Sequence, residues 1–358
     1  MNSSFLSHEF LFFSGFLLFI FCMLAIDLGL FSKKNQEISF KQAAIMSSIW
    51  VLFALLFFGI LYQWGNELHN IQDFDRLTEI TQRHMHKIRL IPESFEASLQ
   101  IYNKNLALEY LTGYVVEYAL SIDNIFVMVL IFSSFGVNPK YYHRVLVWGI
   151  LGAIILRFAF IFLGAALINQ FAWILYLFGA FLVYTGFMMF INRDQEEKID
   201  PKNHPVIKFA SKHFRVHPHY EGNHFFHHID NKKYITPLFL VLLMIESTDV
   251  IFAVDSIPAI FSVTQDPYIV FFSNIFAILG LRSMFFLLVN VIHKFHYLKM
   301  GLSLLLVFIG LKMLLHHWLE GLGFTTAHSL IVIVSILTLS VVASLVFPKQ
   351  SEAKGEKE

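Results

Sequence analysis

The sequence predicts an all-α polytopic membrane protein of about nine transmembrane helices, with two inverted three-helix repeats forming its core. Three observations lead there. The 358 residues are 56% hydrophobic, include 41 Phe and are only 15% charged, a balance too apolar for a soluble domain. Apolar runs of about 18 to 25 residues recur along the chain, each long enough to cross a bilayer. Two of these runs also carry matching acids.

The spans fall near residues 9–31, 42–62, 106–134, 143–168, 171–191, 236–262, 268–292, 297–315 and 327–347. The first has no basic region before it and no convincing small-residue cleavage site after it, so it reads as a retained span and not a removed signal peptide. Residues 1–62 thus hold two N-terminal helices, followed by a hydrophilic loop over 63–105. Within that loop FDRLTEITQRHMHKI has the pattern of an amphipathic helix lying on the surface. A first three-helix unit covers 106–191 and a second covers 236–315. The segment 192–235 between them contains His204, His213, His217, His219, His224, His227 and His228, seven of the chain's 17 histidines. Metal binding or proton sensing would suit such density, but the spacing matches no defined site, and a solvated loop with a short hairpin accounts for it equally well. A final helix over 316–347 precedes a disordered tail, 348–358.

Lys and Arg outside the spans set the orientation. With the N-terminus outside and the C-terminus cytoplasmic, 18 of them face inward, and only Arg76, Arg83, Lys87, Arg89 and Lys104 face outward, all in one long loop. The positive-inside rule favours that arrangement, which suits a cytoplasmic (inner) bacterial membrane. It also fixes the relation between the acidic spans. Glu117 and Asp123 lie six residues apart in VVEYALSIDNIFVMVL, as do Asp249 and Asp255 in LFLVLLMIESTDVIFAVDSIPAIF, which adds Glu246. The first of these spans runs outside to inside and the second inside to outside. Each following helix carries one deep Arg at a matching place, Arg157 and Arg282, so the two units are inverted repeats. In secondary transporters that build puts the site at the midplane between the halves.

Each ionised acid at a helix centre costs roughly 2.5–3.5 kcal/mol. Five deep acids against Arg157, Arg282 and Lys312 leave a charge of minus two, which one divalent cation or two protons would neutralise. Carboxylates with the neutral oxygens of Asn124, Ser121, Ser247, Thr248 and Ser256 form an oxygen-only set. Such a set suits manganese, magnesium or calcium better than zinc or copper. On straight helices Glu117, Ser121 and Asn124 share a face, as do Glu246 and Asp249, whereas Asp123 lies about 120° from Glu117 and Asp255 about 180° from Glu246. Either the acids address different neighbours or the helices are distorted. Pro258, which cannot donate to the Val254 carbonyl, favours a break in the second acidic helix.

Other classes are disfavoured. Net charge is zero and the single cysteine is Cys22, giving no argument for nucleic-acid binding and no intrachain disulfide or cysteine metal site. No nucleotide-binding motif suggests an ATP-driven pump, and the YD and GxGD motifs of intramembrane aspartyl proteases are missing, so an enzyme is not expected.

At EYALSIDNIFV (117–127), RVLVWGILGA (144–153), TPLFLVLLMIESTDVIFAVDSIPAIF (236–261), SNIFAILGLRSMFFLL (273–288), YLKMGL (297–302) and FIGLKML (308–314) the chain closely resembles the TerC family of integral membrane proteins, in its Alx-like branch. The resemblance covers about 106–315. It implies manganese export, membership of a superfamily of exporters with inverted repeats, and a link to tellurite resistance. By motif, Glu117, Asp123, Glu246, Asp249 and Asp255 are the metal-path acids it implies. The loop 63–105 departs from the pattern.

The expected function is therefore export of divalent metal, manganese(II) above all, by proton-coupled alternating access. Lipid, metal ion and protons are the partners, and no cofactor is permanently bound. A membrane assembly factor supplying metal or partners to exported proteins is the rival reading.

Overall fold

The computed structural model describes residues 3–31, 39–193, 204–229, 232–289 and 297–347. The tail 348–358 and part of the histidine-rich segment lie outside them. Eight helices are long and apolar enough to cross a membrane, and the protein is a multi-pass all-α membrane protein.

The N-terminal pair is α1 (Ser3–Phe31) and α2 (Phe40–Trp64). Ser39 opens α2 through a capping box, with its hydroxyl accepting from Gln42 N while Gln42 returns the contact to Ser39 N at 3.0 Å, which satisfies two of the amides a helix start leaves unpaired. A 3₁₀ turn, Gly65–His69, leads to α3 (Phe74–Arg83), the amphipathic helix expected on the surface. Its buried face is Leu77, Ile80 and Thr81.

The core comprises α4 (Phe95–Ser134), α5 (Tyr142–Gln170), α6 (Ile174–Ile191), α8 (Pro237–Phe261), α9 (Pro267–Leu288) and α10 (Leu298–Leu314). Between α6 and α8 come α7 (Pro205–His213) and the hairpin of β1 (Phe226–Ile229) with β2 (Lys232–Ile235), paired Phe226 to Ile235. The short α11 (His316–Gly321) and α12 (Thr326–Val346) close the chain.

Two expectations need correction. The loop 63–105 is largely structured, and its last eleven residues belong to α4, whose 40 residues make a rod about 60 Å long at 1.5 Å per residue. Buried Asn103 and Asn105 on that extension hide it from a search for apolar runs. The span expected over 297–315 is shorter in α10, at 17 residues or about 25 Å, and among the described residues eight helices have the length and hydropathy of a crossing segment.

The helix α9 is the axis of the bundle. Every residue of its most apolar stretch is buried, as expected of a helix hydrophobic on all sides. The abundant Phe surrounds it: Phe16 packs tilted against Phe272 with ring centroids 4.3 Å apart, Phe13 against Phe271 at 5.3 Å and Phe57 against Phe276 at 5.2 Å. Around this axis α4 packs on α9, α5 on α8, and α6 on α10. Exchanging α4, α5, α6 for α8, α9, α10 leaves that pairing scheme unchanged. The α6–α10 seam is a small-residue contact: a Cβ on Gly310 would meet Gly179 O at 2.6 Å, and one on Gly186 would meet Ser303 O at 2.8 Å.

Candidate metal site

The site grows from one residue, Arg157, fully buried on α5. A guanidinium there must find anions or carbonyls, since isolated burial of a charge is prohibitive. It finds one partner on each of two neighbouring helices and two on a third. Nη1 donates to Glu117 of α4, to Asn274 Oδ1 of α9 at 3.1 Å and to Ser256 Oγ of α8 at 3.4 Å, while Nη2 donates to Asp249 Oδ1 of α8 at 3.2 Å.

The arrangement leaves oxygens over. Glu117 Oε2, Asp249 Oδ2, Ser121 Oγ and Asn124 Oδ1 are all buried with no hydrogen-bond partner. Buried polar atoms are almost always satisfied. The two open carboxylate oxygens beside the guanidinium, with Ser121 and Asn124 further along the same face of α4, mark a place suited to a cation.

Glu246, one helical turn before Asp249, reaches the same region from the α8 side. Its carboxylate lies where a Cβ on Gly152 of α5 would stand. Beside it Glu246 and Asp249 line a cavity of about 20 Å³ with Gly149 and Ala153 of α5 and Ile278 of α9. That is room for roughly one water-sized group, on walls that are otherwise apolar.

The structure thus brings together Glu117, Asp249, Arg157 and Ser256, with Glu246 and the cavity alongside, and it adds Asn274 and Gly152, which sequence reasoning overlooked. An Asn inside the apolar run SNIFAILGLR was the available signal for the first. Asp123 and Asp255 are half-buried and lie on other faces of α4 and α8, as helix geometry required. Asp255 Oδ1 is buried without a partner. The hydroxyls of Ser247 and Thr248 donate to carbonyls three residues back, Met244 O and Ile245 O, each at 2.8 Å.

Arg282, at the matching position on α9, contacts His143 Nε2 at 3.2 Å, at the beginning of α5. Two supporting assignments change. Lys312 donates to Ser262 O at 3.1 Å, at the carbonyl end of α8 where a cation suits the helix dipole, and it is not a counter-charge for the acids. Pro258 causes no break: α8 runs unbroken from Pro237 to Phe261, because a proline in the last turn removes one amide donor and spares the turns before it.

Comparison with known proteins agrees with this architecture. A model of the integral membrane protein TerC family matches residues 102–352. The "Uncharacterized membrane protein STKORF319" of Myxococcus xanthus is 41% identical over 334 residues, 93% of this chain and 91% of that protein. A Salmonella typhi protein called "Putative membrane-bound redox modulator Alx" is 42% identical over 341 residues, 95% of each. A Rickettsia felis protein, "Uncharacterized membrane protein", is 38% identical over 91% of this chain and 95% of its own. No solved structure matches.

Proposed function

The chain belongs to the integral membrane protein TerC family, and from that premise we propose that it exports divalent metal ions, manganese(II) first among them, through the buried carboxylates. The observation that carries this reading is the set of buried, unpartnered oxygens on Glu117, Asp249, Ser121 and Asn124, with Asp249 also lining a cavity together with Glu246. Glu117, Glu246 and Asp249 ionised with Arg157 charged sum to minus two, the complement of one divalent cation. Hard oxygen donors suit manganese, magnesium and calcium, and geometry and supply decide among them.

Arg157 acts here as a positioning residue. By holding one oxygen of Glu117 and one of Asp249 it turns the other oxygen of each outward and keeps the two carboxylates near each other without a metal. The two three-helix units are inverted repeats in this reading. Their α6–α10 glycine seam permits one to rock against the other, exposing the ion first to the cytoplasm and then outside. Moving two positive charges out against an inside-negative potential costs about 4.6 kcal/mol per 100 mV, so a driving ion is required. Inward protons supply it, the acids taking protons as metal leaves.

The test is manganese uptake into inside-out vesicles containing the full chain, comparing the native protein with Asp249→Asn, Glu117→Gln and Asp255→Asn under competition by calcium, magnesium and zinc. Loss of accumulation in folded Asp249→Asn and Glu117→Gln supports the reading. Normal transport in all three variants overturns it and moves the assembly-factor reading to the front. The name of the Salmonella typhi relative speaks of redox. With Cys22 as its only cysteine, this chain has no dithiol of its own, and under this reading a redox effect would follow from metal supply.

A further inference from the structure

A second cluster of ionisable groups lies where α2 ends and α9 begins. His69 closes the 3₁₀ turn after α2, His84 and His86 follow α3, and Asp266 is the N-cap of α9, accepting from Tyr268 N at 2.9 Å. His69 and Asp266 are fully buried, and His84 and His86 nearly so. One donor atom from each of His69, His84 and Asp266 lies within 4.8 Å of the other two. The rings of His69 and His84 stack with centroids 5.0 Å apart, and His86 follows at 5.9 Å from His84.

The surroundings are those of a ligand set. Glu109 of α4 takes His86 Nδ1 at 3.0 Å and is itself held by Thr264 Oγ1 at 2.6 Å and Asn105 Nδ2 at 2.7 Å. A carboxylate on Nδ1 fixes the tautomer and presents the Nε2 lone pair, the usual outer-shell device of metal-binding histidines. That Nε2 is buried and has no partner, and neither has the hydroxyl of Tyr102, whose ring meets His86 edge-on at 5.3 Å.

We propose that His69, His84 and Asp266, with His86 as fourth ligand, form a closed site for a divalent ion of the zinc(II) class, separate from the oxygen-only site in the core. Three imidazoles and a carboxylate make a tetrahedral nitrogen-rich set, which suits zinc and disfavours the hard ions. His69 also meets Glu9 Oε1 of α1 through Nδ1 at 3.0 Å and Asp266 Oδ2 through Nε2 at 2.8 Å. Metal at the site replaces the proton that His69 shares with Asp266 and leaves Glu9 as the outer carboxylate of His69. The competing account is a clamp of protonated His69 between two carboxylates with no metal.

The experiment uses the full-length protein in detergent, stripped with a chelator and titrated with zinc alone, then with cobalt(II) as a spectroscopic stand-in. The expected result is one tightly held zinc in the native protein and in a Glu117→Gln, Asp249→Asn double variant of the core. Binding should weaken about 10–100-fold in Glu109→Gln, an outer-shell change, and be lost in His84→Asn with His86→Asn. If that pair fails to fold, His86→Cys decides: retained binding with a new sulfur-to-cobalt charge-transfer band places residue 86 on the metal. Absence of stoichiometric zinc in the native protein overturns the proposal in favour of the clamp. So does zinc binding unchanged in the folded His84→Asn, His86→Asn variant, or a His86→Cys protein whose cobalt spectrum shows no sulfur band.

Discussion

Gly152→Ala is the smallest change that should disable the core site. A methyl group at residue 152 would fall within the Glu246 carboxylate, which must then move off α5 and away from the cavity it lines with Asp249. The obstacle is the far end of a flexible side chain, so the stability cost should sit near the bottom of the overpacking range, about 1 kcal/mol. The functional cost should be larger. A contact to a charged group contributes about 1.5–3 kcal/mol, which at 1.4 kcal/mol per decade is roughly a 10- to 150-fold loss of apparent metal affinity. Manganese uptake into inside-out vesicles measures the affinity, and thermal unfolding of the detergent-solubilised protein measures the stability. Gly152→Ala combined with Glu246→Ala should recover the lost stability but not the affinity, because the two residues share one space and their effects do not add. Native affinity and native unfolding in Gly152→Ala would refute the seating of Glu246 on Gly152. A normal Glu246→Gln protein beside an impaired Gly152→Ala would refute its role as a ligand.

Arg157→Met leaves Glu117 and Asp249 buried without their counter-charge and should cost about 3–5 kcal/mol; adding Glu117→Gln and Asp249→Asn should restore most of the loss in the same unfolding assay while leaving transport absent. Gly310→Ala drives a methyl group against Gly179 O of the facing helix and should cost about 1–3 kcal/mol or more, read as a lowered unfolding temperature and weakened cross-linking between cysteines placed on α6 and α10. Tyr220→Phe removes the hydrogen bond to Phe135 O at 2.7 Å that ties the segment before the hairpin to the end of α4; about 1 kcal/mol should be lost, with faster proteolysis near residue 220 and unchanged metal affinity.

The core acids were legible because a charge in an apolar run announces itself. Glu117 and Asp249 stood out along the sequence, and Arg157 was the one cation deep within its apolar run. What the sequence could not supply was partnership. Lys312 looked equivalent to Arg157 on the same criterion, yet it meets a helix-end carbonyl, since a run of apolar residues gives neither depth nor facing. Nor could Gly152 be distinguished from any other glycine without the carboxylate that occupies its missing side chain. The segment 63–105 was misread for the opposite reason. Its polar residues look solvated, but His69 meets Asp266, and Asn105 and the Nδ1 of His86 meet Glu109, residues that tertiary packing alone brings to them.

The length of α4 has a mechanical consequence. One continuous helix carries Glu117 in the core and Glu109 against His86 and Thr264, eight residues or about 12 Å apart along its axis, and its first residue lies about 33 Å from Glu117. A tilt of roughly 10° about Glu117 would sweep that end by about 6 Å. The helix is a lever tied to the histidine cluster through Glu109, so whatever stiffens or loosens that tie limits how far α4 can tilt.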